Sequence, residues 1–143
     1  MSHNVDSSRN FQKIFEEIPE KTKLKVRAAI HMLKNKGTNL GYPISSAIKG
    51  SKLSLRELRV TAGNQEWRIL YKFHPMRNPV LLHAGDKTRE GDSWYKKNIP
   101  VAEKAYLDFL QNDFKRLYPE ADIKNEIFMT KKKVQNQTHA RTI

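Results

Sequence analysis

Cysteine is absent from the 143 residues, so no disulfide or thiolate-bound metal can brace the fold and no thiol can act as a nucleophile. A reducing compartment fits. No run approaches the roughly 18 apolar residues of a membrane span, and the N-terminal MSHNVDSSRN lacks the basic and apolar regions of a secretory signal. A soluble, cytoplasmic protein with no membrane partner is expected. Acidic residues are scarce: 15 Asp and Glu stand against 27 Lys and Arg, a formal charge of +12. That imbalance favours a polyanionic partner through phosphate neutralisation and counterion release, with nucleic acid ahead of an acidic protein, an anionic membrane surface or a merely solvated cationic surface. Familiar enzyme signatures are missing too: no phosphate-cradling glycine loop, no His-Glu-x-x-His helix, no Gly-x-Ser-x-Gly turn. The five histidines, at 3, 31, 74, 83 and 139, lack metal-ligand spacing. No metal or other cofactor is expected, and His31 reads as structural or surface.

What is present reads as one α+β domain with tails. Residues 1–10 are polar and expected to be disordered, with Ser7 or Ser8 available to cap a helix from Phe11. Phe11, Ile14, Phe15 and Ile18 recur at helical spacing up to Pro19. A second helix is predicted from Glu20 to Lys36, with Leu24, Ala28, Ile30, Met32 and Leu33 for its buried side and Gly37 as its stop. A packed loop over 38–52, with a short strand around Ile44 to Ile48, leads into strands over 54–61, 66–74 and 79–84. Short connections make these an antiparallel meander. Asp86 to Lys97 reads as a polar loop, in which Trp94 is suited to packing against the last helix. That helix is predicted from Asn98 as cap and Pro100 in its first turn to about Tyr118. Residues 119–143, with Lys131-Lys132-Lys133, read as a basic flexible tail, leaving 11–118 as the domain.

The strands carry the functional signal. Alternation puts Trp67, Ile69, Tyr71 and Phe73 on one face and Arg68, Leu70, Lys72 and His74 on the other. Val80, Leu82 and Ala84 divide from Leu81 and His83 in the same way, and Leu58 and Val60 from Glu57 and Arg59. A face holding Arg59, Arg68, Lys72 and His83 beside the carboxylate of Glu57 suits binding or cleaving a phosphodiester. Metal-free cleavage of RNA by its own 2′-hydroxyl needs a base, cations on the non-bridging oxygens and an acid for the leaving oxygen.

The runs Leu40-Gly-Tyr-Pro43, Ile48-Lys-Gly-Ser51, Leu55-Arg-Glu-Leu-Arg59, Trp67 to Phe73, Val80 to Thr88 and Trp94 to Ala102, in this order and spacing, closely resemble the phage-type RelE/HigB-like toxins of bacterial type II toxin–antitoxin modules. The resemblance spans roughly residues 11–110, and Gly85-Asp-Lys87 followed by Trp94-Tyr95 and Asn98-Ile-Pro100 makes it specific. It implies a small, twisted, mainly antiparallel sheet packed by an N-terminal helical hairpin and a C-terminal helix. It also implies a ribosome-dependent endoribonuclease that cuts messenger RNA by metal-free transphosphorylation and is restrained by a helix-turn-helix antitoxin. Arg68 matches the arginine that contacts the scissile phosphate, Arg59 a cationic position on the preceding strand, Lys87 an arginine after a Gly-Lys or Gly-Asp pair, and Tyr95 the tyrosine that stacks on or orients the nucleotide. Glu57 or His83 would move protons. Lys72, His74, Arg56, Lys96 and Lys97 are expected to bind RNA around them.

The same residues admit other readings. Glu57 can simply pair with Arg59 or Arg68, His83 can be a satisfied sheet histidine, and Tyr95 can pack the loop. At the level of function the alternatives are a ParE-like toxin acting on a protein target such as DNA gyrase, or a nucleic-acid-binding module without catalysis. Two departures from the family pattern are the ten polar residues where a first strand is usual, which predicts a smaller sheet, and the longer basic tail.

Overall fold

The computed structural model describes residues 4–142, with side chains through 135. Its strands are β1 (Asp6–Ser7), β2 (Ser45–Ala47), β3 (Arg56–Ala62), β4 (Gln65–Phe73) and β5 (Pro79–Asp86). The helices are α1 (Arg9–Glu17), α2 (Glu20–Lys36), α3 (Trp94–Asn112), α4 (Phe114–Leu117) and α5 (Lys124–Thr142). The fold is α+β. The sheet order is β1-β5-β4-β3-β2, antiparallel except where β1 runs parallel to β5. No helix among the described residues is long and apolar enough to cross a membrane.

Local chemistry explains most of the boundaries. Ser8 caps α1 by accepting from Phe11 N at 3.1 Å, and its own hydroxyl donates to Leu82 O at 3.0 Å, tying the helix start to the sheet. Pro19 separates α1 from α2, and Gly37 closes α2 at φ 54°. Between β3 and β4 the turn is Gly63-Asn64, with Gly63 at the φ of 60° that a two-residue hairpin loop requires of its first residue.

Helices cover both faces of the sheet. α1 and α2 pack on Leu58, Val60, Ile69, Tyr71, Leu81 and Ala84. On the other face, Leu55, Leu70, Val80 and Leu82 meet Trp94, Tyr106, Phe109 and Phe114. A bulge sets this partition: Leu70 pairs with His83 and Tyr71 with Leu81, so Leu82 is an extra residue in β5. Strict alternation predicts Val80, Leu82 and Ala84 together; the bulge instead leaves Ala84 with Leu81 on the α1/α2 side and Leu82 against α3.

The structure corrects the sequence expectations at both ends. Residues 6–7, expected to be disordered, form the edge strand β1, held as much by Asp6 as by its backbone: Oδ2 of Asp6 lies 2.8 Å from His74 Nε2 and accepts from Tyr118 OH at 2.6 Å. The expected basic tail is helical from Lys124. Ile123, Ile127, Thr130 and Val134 recur at helical spacing and turn toward α3, which supplies the burial that composition alone concealed. α3 begins at Trp94 rather than near Asn98, so Pro100 lies inside the helix. Packing of Trp94 into the core outweighs the backbone bond that Pro100 cannot make. In α2, Leu24 is 67% exposed, while Thr22, Val26, Ala29 and Leu33 form the buried stripe.

Candidate active site

Gly85 decides where the site forms. A Cβ there would lie 2.7 Å from Trp94 Cζ2, so only glycine lets the indole settle on β5. Trp94 also stacks on His83, with ring centroids 6.1 Å apart. Anchored in this way, α3 presents the next residue, Tyr95, to the end of the sheet where β3 and β4 carry Glu57, Arg59 and Arg68. Arg59 and Arg68 are cross-strand partners, and Gly85 is opposite Arg68 on the other side.

Glu57 is the centre of the arrangement, only 4% exposed. Its Oε1 accepts from Tyr95 OH at 2.5 Å and its Oε2 from Ser46 Oγ at 3.2 Å. Arg59 Nε stands 3.5 Å from Oε2, and Arg68 Nε 3.6 Å from Oε1. A buried carboxylate survives because two guanidinium groups and two hydroxyls replace its lost water. Burial, followed by the bond to Glu57, pushes the Tyr95 hydroxyl up to about 12, so it stays protonated at any physiological pH.

In front of Glu57 is a hollow of about 420 Å³, bordered by Arg59, Lys87, Tyr95, Lys49 and Asp92. Lys87 Nζ is 5.4 Å from the centre of the Tyr95 ring and 3.7 Å from Asp92 Oδ1. Arg59 lies against the Tyr42 ring at 5.3 Å. Arg68 stands behind this wall, 7% exposed; its Nη1 donates to Trp67 O at 3.0 Å and lies 3.6 Å from Glu66 Oε2. Among the described residues, no group of three or more His, Asp and Glu side chains could hold a metal ion.

Glu57, Arg59, Arg68, Lys87 and Tyr95, predicted from separate segments, thus come together, although Arg68 supports the carboxylate instead of facing the hollow. The other expected site residues fall elsewhere. His83 lies two strands from Glu57, with Leu70 between them. Its Nδ1 accepts from Asn10 Nδ2 at 3.0 Å and its Nε2–H donates to Asn98 Oδ1 at 2.7 Å, so both ring nitrogens are engaged. Burial holds its pKa below the ordinary value, against the bond to Asn98. Lys72 is covered by α3 and α5: its Nζ donates to Leu53 O at 2.6 Å, and burial lowers its pKa. His74 is buried on Asp6 among Phe109, Phe114 and Tyr118. Arg56 points to the opposite face, bonding Ser45 Oγ at 3.2 Å and Tyr71 OH at 3.4 Å. Lys97 stands in solvent, 3.9 Å from Glu90 Oε2, and Lys96 borders a neighbouring hollow.

Sequence reasoning missed Ser46, Lys49 and Asp92. For Ser46 the signal is register, since it pairs directly with Glu57 across β2 and β3. Nothing local to a loop lysine such as Lys49 marks it as part of a site.

Comparison with known proteins agrees with this architecture. The free state of a mutant of the toxin RelE from E. coli superposes with a TM-score of 0.50 at 10% identity, covering 69% of this chain and 99% of that one. This is the RelE fold. Residues 13–107 match the family described as phage derived protein Gp49-like, and the chain belongs to that family. Two Mycobacterium tuberculosis proteins named as toxins, HigB2 and HigB3, are each 36% identical, over 87 and 89 residues. The matched segments are 59% and 62% of this chain, and they span 43% of HigB2 and 76% of HigB3.

Proposed function

We propose that this protein is the toxin of a type II toxin–antitoxin module and that it inhibits translation by cutting messenger RNA at the hollow in front of Glu57. One observation carries the reading: a buried carboxylate bonded to a tyrosine hydroxyl lies between cations from three segments, at Arg59, Lys87 and Lys49. A phosphodiester in the hollow would place its non-bridging oxygens on Arg59 and Lys87, where charge grows as the 2′-oxygen attacks. Glu57 would take the 2′-hydroxyl proton, the P–O2′ bond would form and the P–O5′ bond break. The products are a 2′,3′-cyclic phosphate and a 5′-hydroxyl end, with the leaving oxygen protonated from solvent. Tyr95 would fix the carboxylate through its hydroxyl and offer its ring to a base. Arg68 is assigned a positioning role, holding Glu57 from behind.

With His83 engaged elsewhere, no histidine borders the hollow among the described residues, so a strong acid–base pair is lacking and naked RNA should be a poor substrate. The ribosome would supply a fixed RNA geometry and the missing proton traffic. A helix-turn-helix antitoxin as the restraining partner follows from the same reading.

End mapping of messages in a translating extract tests it. Wild type should leave 5′-hydroxyl ends at discrete sites. Glu57→Gln and Arg59→Ala should each lower cutting by about 10²-fold or more, the usual scale for losing a general base or an electrostatic clamp. Equal cutting of naked and translating RNA would defeat ribosome dependence. Arrest of DNA replication ahead of translation, indifferent to Arg59→Glu, would point to a protein target instead.

A further inference from the structure

The hollow in front of Glu57 adjoins a second one, of about 280 Å³, bordered by Lys49, Gly50, Tyr95, Lys96, Ile99 and Pro100. Lys49, Asp92 and Tyr95 border both. Tyr95, common to both, has its hydroxyl bonded to Glu57 at the first hollow.

Charge is distributed unevenly between them. In and around the first hollow every other cation already has a carboxylate: Arg59 and Arg68 share Glu57, Lys87 has Asp92, and Lys97 nearby has Glu90. Lys49 and Lys96 are exposed and, among the described residues, have no carboxylate within 4.0 Å. They come from different elements. Lys49 sits in the β2–β3 loop just before Gly50, whose φ of 87° bends the chain, and Lys96 in the first turn of α3. Asp92, the only carboxylate on the border among the described residues, is fully exposed and held by Lys87. The wall between the lysines is apolar, formed by Ile99 and Pro100.

We propose that this second hollow is a binding subsite for the phosphate next to the scissile one on a single-stranded RNA, gripped by Lys49 and Lys96, with its sugar or base resting on Ile99 and Pro100. The inference rests on the RNA reading of the first hollow and extends it. An incoming phosphate meets Lys49 and Lys96 without displacing a protein carboxylate, whereas at Arg59 and Lys87 it must compete with Glu57 and Asp92. The second hollow therefore supplies binding, and the first supplies chemistry. A strand lying across both bends over Tyr95, which brings its ring beside the nucleotide at the cleavage point.

The test uses the full chain and non-cleavable probes: a dinucleotide with 2′-deoxyribose at the attacking sugar, and the same probe lengthened by one nucleotide at its 5′ or its 3′ end. Fluorescence anisotropy should show one extension binding wild type at least 5-fold tighter, with a salt dependence steeper by about 0.7 in log–log slope, the value for one added phosphate contact on a single strand. Lys96→Ala, which leaves Lys49 and the first hollow intact, should remove most of that gain and leave dinucleotide affinity within 2-fold. Lys34→Ala/Lys36→Ala, which removes two exposed lysines at the far end of α2, should keep it. The subsite is overturned if neither extension helps wild type, if the gain survives in the Lys96 variant, or if the α2 variant loses it equally, each with the dinucleotide still bound. Failure of wild type to bind any probe would instead overturn the RNA reading itself, and the subsite with it.

Discussion

Glu57 would be untenable in a plain apolar core, and each of its neighbours is explained by that fact. Removing Arg68 takes away the more deeply buried of the carboxylate's two guanidinium partners, whereas removing Arg59, the more exposed one, opens one side to water. Arg68→Ala is accordingly expected to harm folding as well as activity, and Arg59→Ala chiefly activity. Tyr95 gives a cleaner handle. Its folded-state pKa of about 12 lies above its ordinary 10.0, so the stability it brings is intact below pH 10 and fades as pH rises toward 12. Thermal unfolding between pH 8 and 12 should show wild type losing stability more steeply than Tyr95→Phe. His83 runs the other way: its pKa lies below the ordinary 6.5, so its contribution is intact above pH 6.5 and is lost as pH falls. His83→Gln should flatten that acid limb while message cutting stays within about 10-fold of wild type, a smaller loss than expected of a true general base. Charge type and strand alternation made Glu57, Arg59 and Arg68 legible in the sequence. Which of them faces solvent was not, because that depends on what α3 covers.

Among the elements, α3 does most to shape the site, and its first turn is where sequence and structure part. A polar run with proline at position 100 reads as loop followed by helix, yet Trp94 is held by Gly85 and His83 and starts the helix six residues earlier than the proline. Gly85→Ala should therefore push the indole outward and carry Tyr95 off Glu57. The expected cost is about 1–3 kcal/mol, the scale of overpacking in a close-packed core, read as a lower denaturant midpoint with a change in tryptophan fluorescence. Cutting should fall more than stability explains, since a small displacement of Tyr95 uncouples it from the carboxylate. Trp94→Leu in the Gly85→Ala background should recover part of the stability and little of the activity. The β5 bulge is a second feature that periodicity hides: one extra residue reverses the alternation and sends Leu82 and His83 to the same side.

For the whole molecule, helices lie on both faces, and the cationic face opens, among the described residues, at the end where Tyr95 and the β2–β3 loop leave a hollow. α3 covers the rest, and α5 packs on α3 with Ile127 and Val134 while its Glu126 and Lys133 lie near Lys72. A chain ending at Asp122 should lose at least the roughly 1.5–3 kcal/mol of one re-exposed large apolar side chain, seen as a lower midpoint in urea and increased dye binding to apolar surface. The helical hairpin, the three-strand meander, the excess positive charge and the set of Glu57, Arg59, Arg68, Lys87 and Tyr95 were determined by the sequence alone. The elements, the charge and Glu57, Arg59 and Arg68 follow from local periodicity and composition, whereas Lys87 and Tyr95 are implied by the resemblance to RelE/HigB-like toxins. Only the tertiary structure decided that residues 6–7 complete the sheet, that α5 packs on α3, and that Lys49 borders the hollow while Lys72, His74 and His83 lie away from it. Those outcomes depend on which surfaces meet across long stretches of chain, and local spacing, even where it marks an apolar face as in α5, does not say what that face meets.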